Sequence, residues 1–154
     1  EAFKPVAGRM NIQHLPGGIH LIDDTYNANP ESMKAAFATL NTMRTGARGI
    51  VAVGDMLELG AQAQSLHRSL GADAARSGIS RLYAYGKFTA EVRAGAHDNG
   101  MPPTDTFEGT HEDIVEDLKC RLQPGDWLLV KGSRGMAMEK VVRKLQEWCE
   151  ESDG

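Results

Sequence analysis

Gly49-Ile50-Val51-Ala52-Val53 narrows the folds open to this chain more than any other stretch. A continuous apolar run of strand length has no polar face to offer water, so it belongs inside a mostly parallel sheet with helices on both sides. Two further runs read the same way: Leu82-Tyr83-Ala84-Tyr85-Gly86 and Trp127-Leu128-Leu129-Val130. Gly18-Ile19-His20-Leu21-Ile22 is a fourth, and it ends in two adjacent carboxylates, Asp23 and Asp24.

Helical spacing fills the gaps between these runs. Asn29 is suited to cap a helix and Pro30 to open it, because a side-chain oxygen can take a free N–H and a missing N–H costs nothing there. Met33, Ala36, Phe37, Leu40 and Met43 then make one apolar face. Residues 61–77 predict a second helix with Leu66, Leu70 and Ala74 inside and Gly78 as its stop. His67 lies beside that face, where an isolated histidine is ordinarily a surface or partly packed residue. A shorter helix is expected around Phe88 to Ala96, another around Ile114, Val115, Leu118 and Leu122, and a last one through Val141, Leu145 and Trp148, flanked by Met138, Val142 and Cys149. Thr104 to Phe107 reads as a weaker strand.

Met10 to Leu15 alternates and runs into Pro16-Gly17-Gly18, a short strand and tight turn leading back into the Ile19 strand. Strand and helix thus alternate about five times, which predicts an α/β, three-layer Rossmann-like domain: a mostly parallel sheet with an N-terminal β-hairpin. Right-handed crossovers put every strand-end loop at one edge. Residues 1–7 read as a linker, 8–150 as the domain and 151–154 as a tail.

The chain has 154 residues, 41% hydrophobic and 25% charged, which is enough for one globular domain with a real core. With 17 Lys and Arg against 21 Asp and Glu, a net charge of −4 leaves no footprint for nucleic acid or an anionic membrane surface. No stretch approaches the roughly 18 apolar residues of a membrane span. Cys120 and Cys149 match no metal-ligand spacing, so reduced thiols and a cytoplasmic location are expected. The first residue is Glu1 rather than Met, as in a fragment or a processed product.

The chemistry collects at the strand ends. Asp23-Asp24-Thr25-Tyr26-Asn27-Ala28-Asn29-Pro30 places acids where open α/β sheets hold ligands, and an acid there accepts from a ribose or helps hold a metal. The plainer alternative is a turn whose polar groups satisfy its own backbone. In the loop after Val53, Met56, Leu57 and Leu59 either fold back on the core or line a pocket beside Asp55. Lys131-Gly132-Ser133-Arg134-Gly135 is a cationic, hydroxyl-bearing loop at a helix start, suited to an anion or else solvated surface. Arg9 is a linker cation or a neighbour of the acids.

What is missing is equally informative. There is no Gly-x-x-x-x-Gly-Lys-Ser/Thr phosphate loop, no Gly-x-Gly-x-x-Gly fingerprint after the first long strand, no Gly-x-Ser-x-Gly elbow and no zinc-like cluster. A complete nucleotide site is not encoded, and no metal ligands are assigned.

Three segments, Asp23 to Met33, Gly54 to Gly60 with His67 beyond it, and Val130 to Met136, closely resemble the C-terminal domain of the Mur ligases, in family order. The Tyr-Asn-Ala-Asn-Pro string resembles the branch that adds D-alanyl-D-alanine, and the Asp-Asn-Pro-Arg motif of amino-acid-adding branches is absent. The resemblance implies a cytoplasmic ligase of peptidoglycan precursor synthesis, with cell wall, cell shape and cell division as its setting. ATP would phosphorylate the carboxylate of UDP-MurNAc-tripeptide, and the amine of D-alanyl-D-alanine would attack the acyl phosphate. Its N-terminal domain would hold the UDP-sugar. Its central domain would carry the phosphate loop, the Mg ligands and a carbamylated lysine, leaving this chain inactive alone.

By the same resemblance, Arg9, Asp24, Tyr26, Asn27 and Asn29 would face the nucleotide, Asp24 accepting from ribose hydroxyls. Asp55, Leu57, Lys131, Ser133 and Arg134 would hold the incoming dipeptide and the neighbouring phosphate.

A receiver-type phospho-acceptor domain is the rival from another class, since Asp23, Asp24, Asp55 and Lys131 imitate its acids and lysine. Yet Asp55 follows the second long strand rather than the third, and Lys131 precedes Gly-Ser rather than a proline.

Overall fold

The computed structural model describes residues 10–153. Six strands form one sheet in the order β1-β2-β6-β3-β4-β5. β1 (Asn11–Leu15) and β2 (Ile19–Asp24) are the expected antiparallel hairpin, joined through Gly17 and Gly18 at φ +87° and +77°, where a side chain would strain the turn. The remaining strands, β3 (Gly49–Gly54), β4 (Arg81–Tyr85), β5 (Thr106–Glu108) and β6 (Trp127–Lys131), run parallel to β2. The three-layer Rossmann-like reading is therefore the observed fold.

Both faces of the sheet are covered. Ile22, Val51, Val53, Leu82, Ala84 and Leu129 point into one core with α1 (Pro30–Arg44), α2 (Ala63–Arg76) and α3 (Thr89–Asp98). Leu21, Ile50, Ala52, Tyr83, Leu128 and Val130 point into the other, with α4 (His111–Arg121) and α5 (Glu139–Asp153). Consecutive strand residues belong to opposite cores, as the pleat requires. The all-buried pattern of β3 is what its uniform apolarity demands.

α1 begins at Pro30 as read. The Asn29 side chain accepts from Ser32 N–H at 2.8 Å and the Ser32 hydroxyl accepts from Asn29 N–H at 3.0 Å, a reciprocal cap. Elsewhere the structure differs from these expectations. Met43 is 38% exposed rather than on the buried face. Residues 61 and 62 form a 3-10 turn with Gly60, whose φ of +63° delays α2 to Ala63. Leu66 packs against the core with Leu70 and Ala74 as expected, but His67, read as a surface or partly packed residue, is fully buried beside it. α5 continues through Asp153, no proline or glycine intervening before Gly154.

β5 starts at Thr106, after a 3-10 turn over Pro103–Asp105 that carries the first half of the expected strand. Cys120 is exposed and Cys149 is buried, and neither is in a disulfide. The linker over residues 1–7 and Arg9 lie outside the described residues.

Candidate functional site at the carboxyl edge of the sheet

Parallel pairing carries the ends of β2, β3, β4, β5 and β6 to one edge, and the register places Asp24 beside Lys131. Lys131 is 1% exposed, and its Nζ donates to Asp24 Oδ2 at 2.7 Å and to the Asn27 carbonyl at 2.8 Å. A buried ammonium is tolerable because a carboxylate and a carbonyl replace the water it loses. Two positions on, the Ser133 hydroxyl donates to the Ala28 carbonyl at 3.4 Å. The β6–α5 loop is thus laced to two successive carbonyls of the β2–α1 loop.

Asp23 and Asp24 do different things although they are neighbours. Asp24 points to the α1 side and meets Lys131, whereas Asp23 accepts from the Thr25 hydroxyl at 2.8 Å. Burial raises the Asp23 carboxyl above its ordinary 3.8; the Thr25 bonds offset part of the rise, and the charges of Asp24 and Glu139 add to it.

The Arg134 guanidinium lies 4.9 Å from the centre of the Tyr26 ring. A cleft of ≈ 250 Å³ opens beneath them, lined by Met10, Asp24, Tyr26, Asn27, Ser32, Ala35 and Lys131. Leu57, 43% exposed, leans over the β6–α5 loop, so that a Cβ placed on Gly135 would lie 3.2 Å from its Cδ1. Asp24, Tyr26, Asn27, Lys131, Ser133 and Arg134 are therefore brought together, with Leu57 on their flank.

Asn29 and Asp55 are engaged elsewhere. The side chain of Asn29 is spent on its helix cap. Asp55, 6% exposed, accepts from Lys87 N–H at 2.7 Å and from Phe88 N–H at 3.1 Å, tying the β3–α2 loop to the start of α3. Gly86 makes that possible: its φ is +120°, and a Cβ there would sit 2.5 Å from Asp55 Cγ. A carboxylate so covered is a poor phosphate acceptor, which removes the receiver reading.

Two histidines that the sequence left unassigned hold the surroundings. His67, 0% exposed, accepts from Met56 N–H at 2.9 Å, and His111 Nε2 lies 2.9 Å from the Met136 carbonyl while its ring stacks on Tyr85 at 4.0 Å. His67 stood in the resemblance, eleven residues beyond Met56, without a role of its own; nothing local marked His111, whose contact joins segments 25 residues apart. A larger cleft of ≈ 440 Å³ between α4 and α5 holds none of the expected residues; Glu112 of α4 and Lys140, Arg143, Lys144 and Glu147 of α5 line it. Among the described residues, no group of three or more His, Cys, Asp or Glu could hold a metal ion, and no helix is long and apolar enough to cross a membrane.

Residues 8–134 match the family model for the Mur ligase glutamate ligase domain. UDP-N-acetylmuramoyl-tripeptide–D-alanyl-D-alanine ligase of Escherichia coli K12 is 38% identical over 152 residues, covering 92% of this chain and 32% of that protein. The Bacillus subtilis 168 protein of the same name is 32% identical over 145 residues, covering 94% and 32%. The chain is similar in structure to MurF ligase from Thermotoga maritima in complex with ADP, with a TM-score of 0.79 and 27% identity over 98% of this chain and 33% of that one. For MurF from Acinetobacter baumannii the TM-score is 0.80, at 29% identity over 94% and 31%. The chain spans about a third of the length of these relatives.

Proposed function

Because this chain belongs to the Mur ligase family, we propose that it is the C-terminal domain of a cytoplasmic, ATP-dependent ligase that joins D-alanyl-D-alanine to UDP-MurNAc-tripeptide. Residues 1–7 are then the link from a central domain. The observation that carries this reading is the Lys131–Asp24 contact, which draws the β2–α1 and β6–α5 loops onto one rim.

On this reading the rim is a lid that closes over a nucleotide held by the central domain. Asp24 has one oxygen on Lys131, and its other oxygen accepts from the ribose hydroxyls. Tyr26 and the Asn27 segment line the same cleft, and Arg9 is assigned to the nucleotide on the family resemblance alone. Arg134, exposed and held over Tyr26, supplies positive charge toward the phosphate and the oxyanion that develops as the amine attacks. Leu57 offers an apolar surface to the methyl groups of the dipeptide, against Gly135 of the loop that carries Ser133. Lys131 acts mainly by fixing this frame, and Asn29 and Asp55 act through backbone they hold in place. The contribution is alignment and charge, in a step where placement alone is worth several kcal/mol.

The residues present do not fit a Mg site, since Asp24 is paired with Lys131 and Asp23 is turned onto Thr25. The Mg ligands belong to the central domain, and no step here runs through the ion. The test is phosphate release from ATP by the full-length enzyme with UDP-MurNAc-tripeptide. D-alanyl-D-alanine should stimulate release and lysine or diaminopimelate should not; stimulation by either amino acid alone would reject the branch assignment.

A further inference from the structure

We infer that His67 is a positioning residue for the acceptor side of the rim, holding the Gly54–Gly60 loop in the conformation that presents Leu57. This inference rests on the reading of Leu57 as a contact for the incoming dipeptide.

Four observations converge on it. His67 projects from α2 into the interior with no exposure, and its two ring nitrogens have opposite partners. The Ala63 carbonyl, 2.7 Å from Nδ1, can only accept, and Met56 N–H, 2.9 Å from Nε2, can only donate. The proton therefore sits on Nδ1, and the lone pair of Nε2 is aimed at the loop.

The ring also stacks on Phe88 at 4.4 Å with planes 18° apart. Phe88 and Lys87 in turn donate their N–H groups to Asp55, the residue before Met56. Helix α2, the β3–α2 loop and the start of α3 thus form one closed circuit of contacts with the imidazole at its centre.

Within the loop, Glu58 has φ +61° and Gly60 +63°. A left-handed glutamate is unfavourable and persists only where its flanks are fixed. Met56, 2% exposed and held by His67, is the upstream anchor, and partly buried Leu59 is the downstream one. Between them Leu57 is turned outward against Gly135. Without the acceptor on His67, the buried Met56 N–H has no partner and the loop has reason to relax, taking Leu57 with it.

The experiment is steady-state phosphate release by the full-length ligase carrying His67→Gln, His67→Asn or His67→Leu, varying D-alanyl-D-alanine and ATP separately. Glutamine places an oxygen where Nε2 stood, whereas asparagine reaches only as far as Nδ1. His67→Asn and His67→Leu should raise the dipeptide KM about tenfold, the order given by one lost buried hydrogen bond, with the ATP KM within about twofold. His67→Gln should stay within about threefold of the native dipeptide KM. A dipeptide KM unchanged in His67→Asn, an ATP KM that rises in step with it, or a Gln variant as impaired as Asn would overturn the inference. Should His67→Leu fail to fold, the Gln and Asn pair decides alone. A native enzyme indifferent to D-alanyl-D-alanine would fail at the acceptor reading itself, and that result is separable because it shows before any variant is made.

Discussion

At the scale of single residues, the two adjacent acids show what a sequence conveys and what it withholds. Asp24 is half of a buried ion pair, so Lys131→Met should destabilise the domain by about 3 kcal/mol in urea unfolding, because it leaves a carboxylate buried and uncompensated. Adding Asp24→Asn should recover part of that loss, and full additivity of the two changes would mean that they are not coupled. Asp23 has the opposite character: its folded carboxyl is raised above 3.8, first by burial. The native state therefore binds more protons than the unfolded state in the window above 3.8, and stability falls as pH rises through it. Asp23→Asn, which keeps an acceptor for Thr25, should raise Tm at pH 7, with the gain gone below about pH 3.8. An equal gain at both pH values would reject burial as the cause. That two carboxylates sit at a strand end was legible in Asp23-Asp24; which one meets the lysine was not, because the pleat and the β2–β6 register decide it.

At the scale of elements, the strands were legible wherever both faces are buried, because a run such as Gly49 to Val53 has no other stable environment. Ends were harder to read. Gly60 and the 3-10 turn postponed α2, and the depth of His67 depended on Met56, a residue in the loop after β3. The cap of α1 was readable from Asn29-Pro30, and Asn29→Ala should cost about 1 kcal/mol by loss of the Ser32 bond, measurable by urea unfolding. The seam between α2 and α3 was invisible by comparison. A Cβ on Gly71 would fall 1.8 Å from the Val92 carbonyl oxygen, and one on Gly95 would fall 1.9 Å from that of Arg68, so the two backbones meet through facing glycines. Gly71→Ala should destabilise by about 2 kcal/mol or more despite alanine's better helix propensity, since backbone cannot step aside as a side chain can. A neutral or stabilising result in the same assay would show that the helices can part without loss.

At the scale of the whole molecule, one consequence of parallel topology organises the rest: five strands end at a common edge, and residues 107 positions apart, Asp24 and Lys131, meet there. The convergence could be anticipated from the strand-helix alternation, but the lacing of Lys131 and Ser133 onto the Asn27 and Ala28 carbonyls could not, because it uses backbone acceptors that every residue possesses. The purified 154-residue chain should show no ATP hydrolysis and no peptide ligation, since its sequence carries no phosphate loop and the account gives it only the closing rim. Turnover by the isolated chain would contradict the lid role. The central claim is that this rim, and no other surface, faces the nucleotide and the acceptor. Its most direct test is a crystal structure of the full-length enzyme with a non-hydrolysable ATP analogue and D-alanyl-D-alanine. The account predicts ribose hydroxyls within hydrogen-bonding distance of the Asp24 carboxylate and the dipeptide between Leu57 and Arg134. Ligands bound instead against the opposite edge, near Trp127 and the Gly17-Gly18 turn, would contradict it.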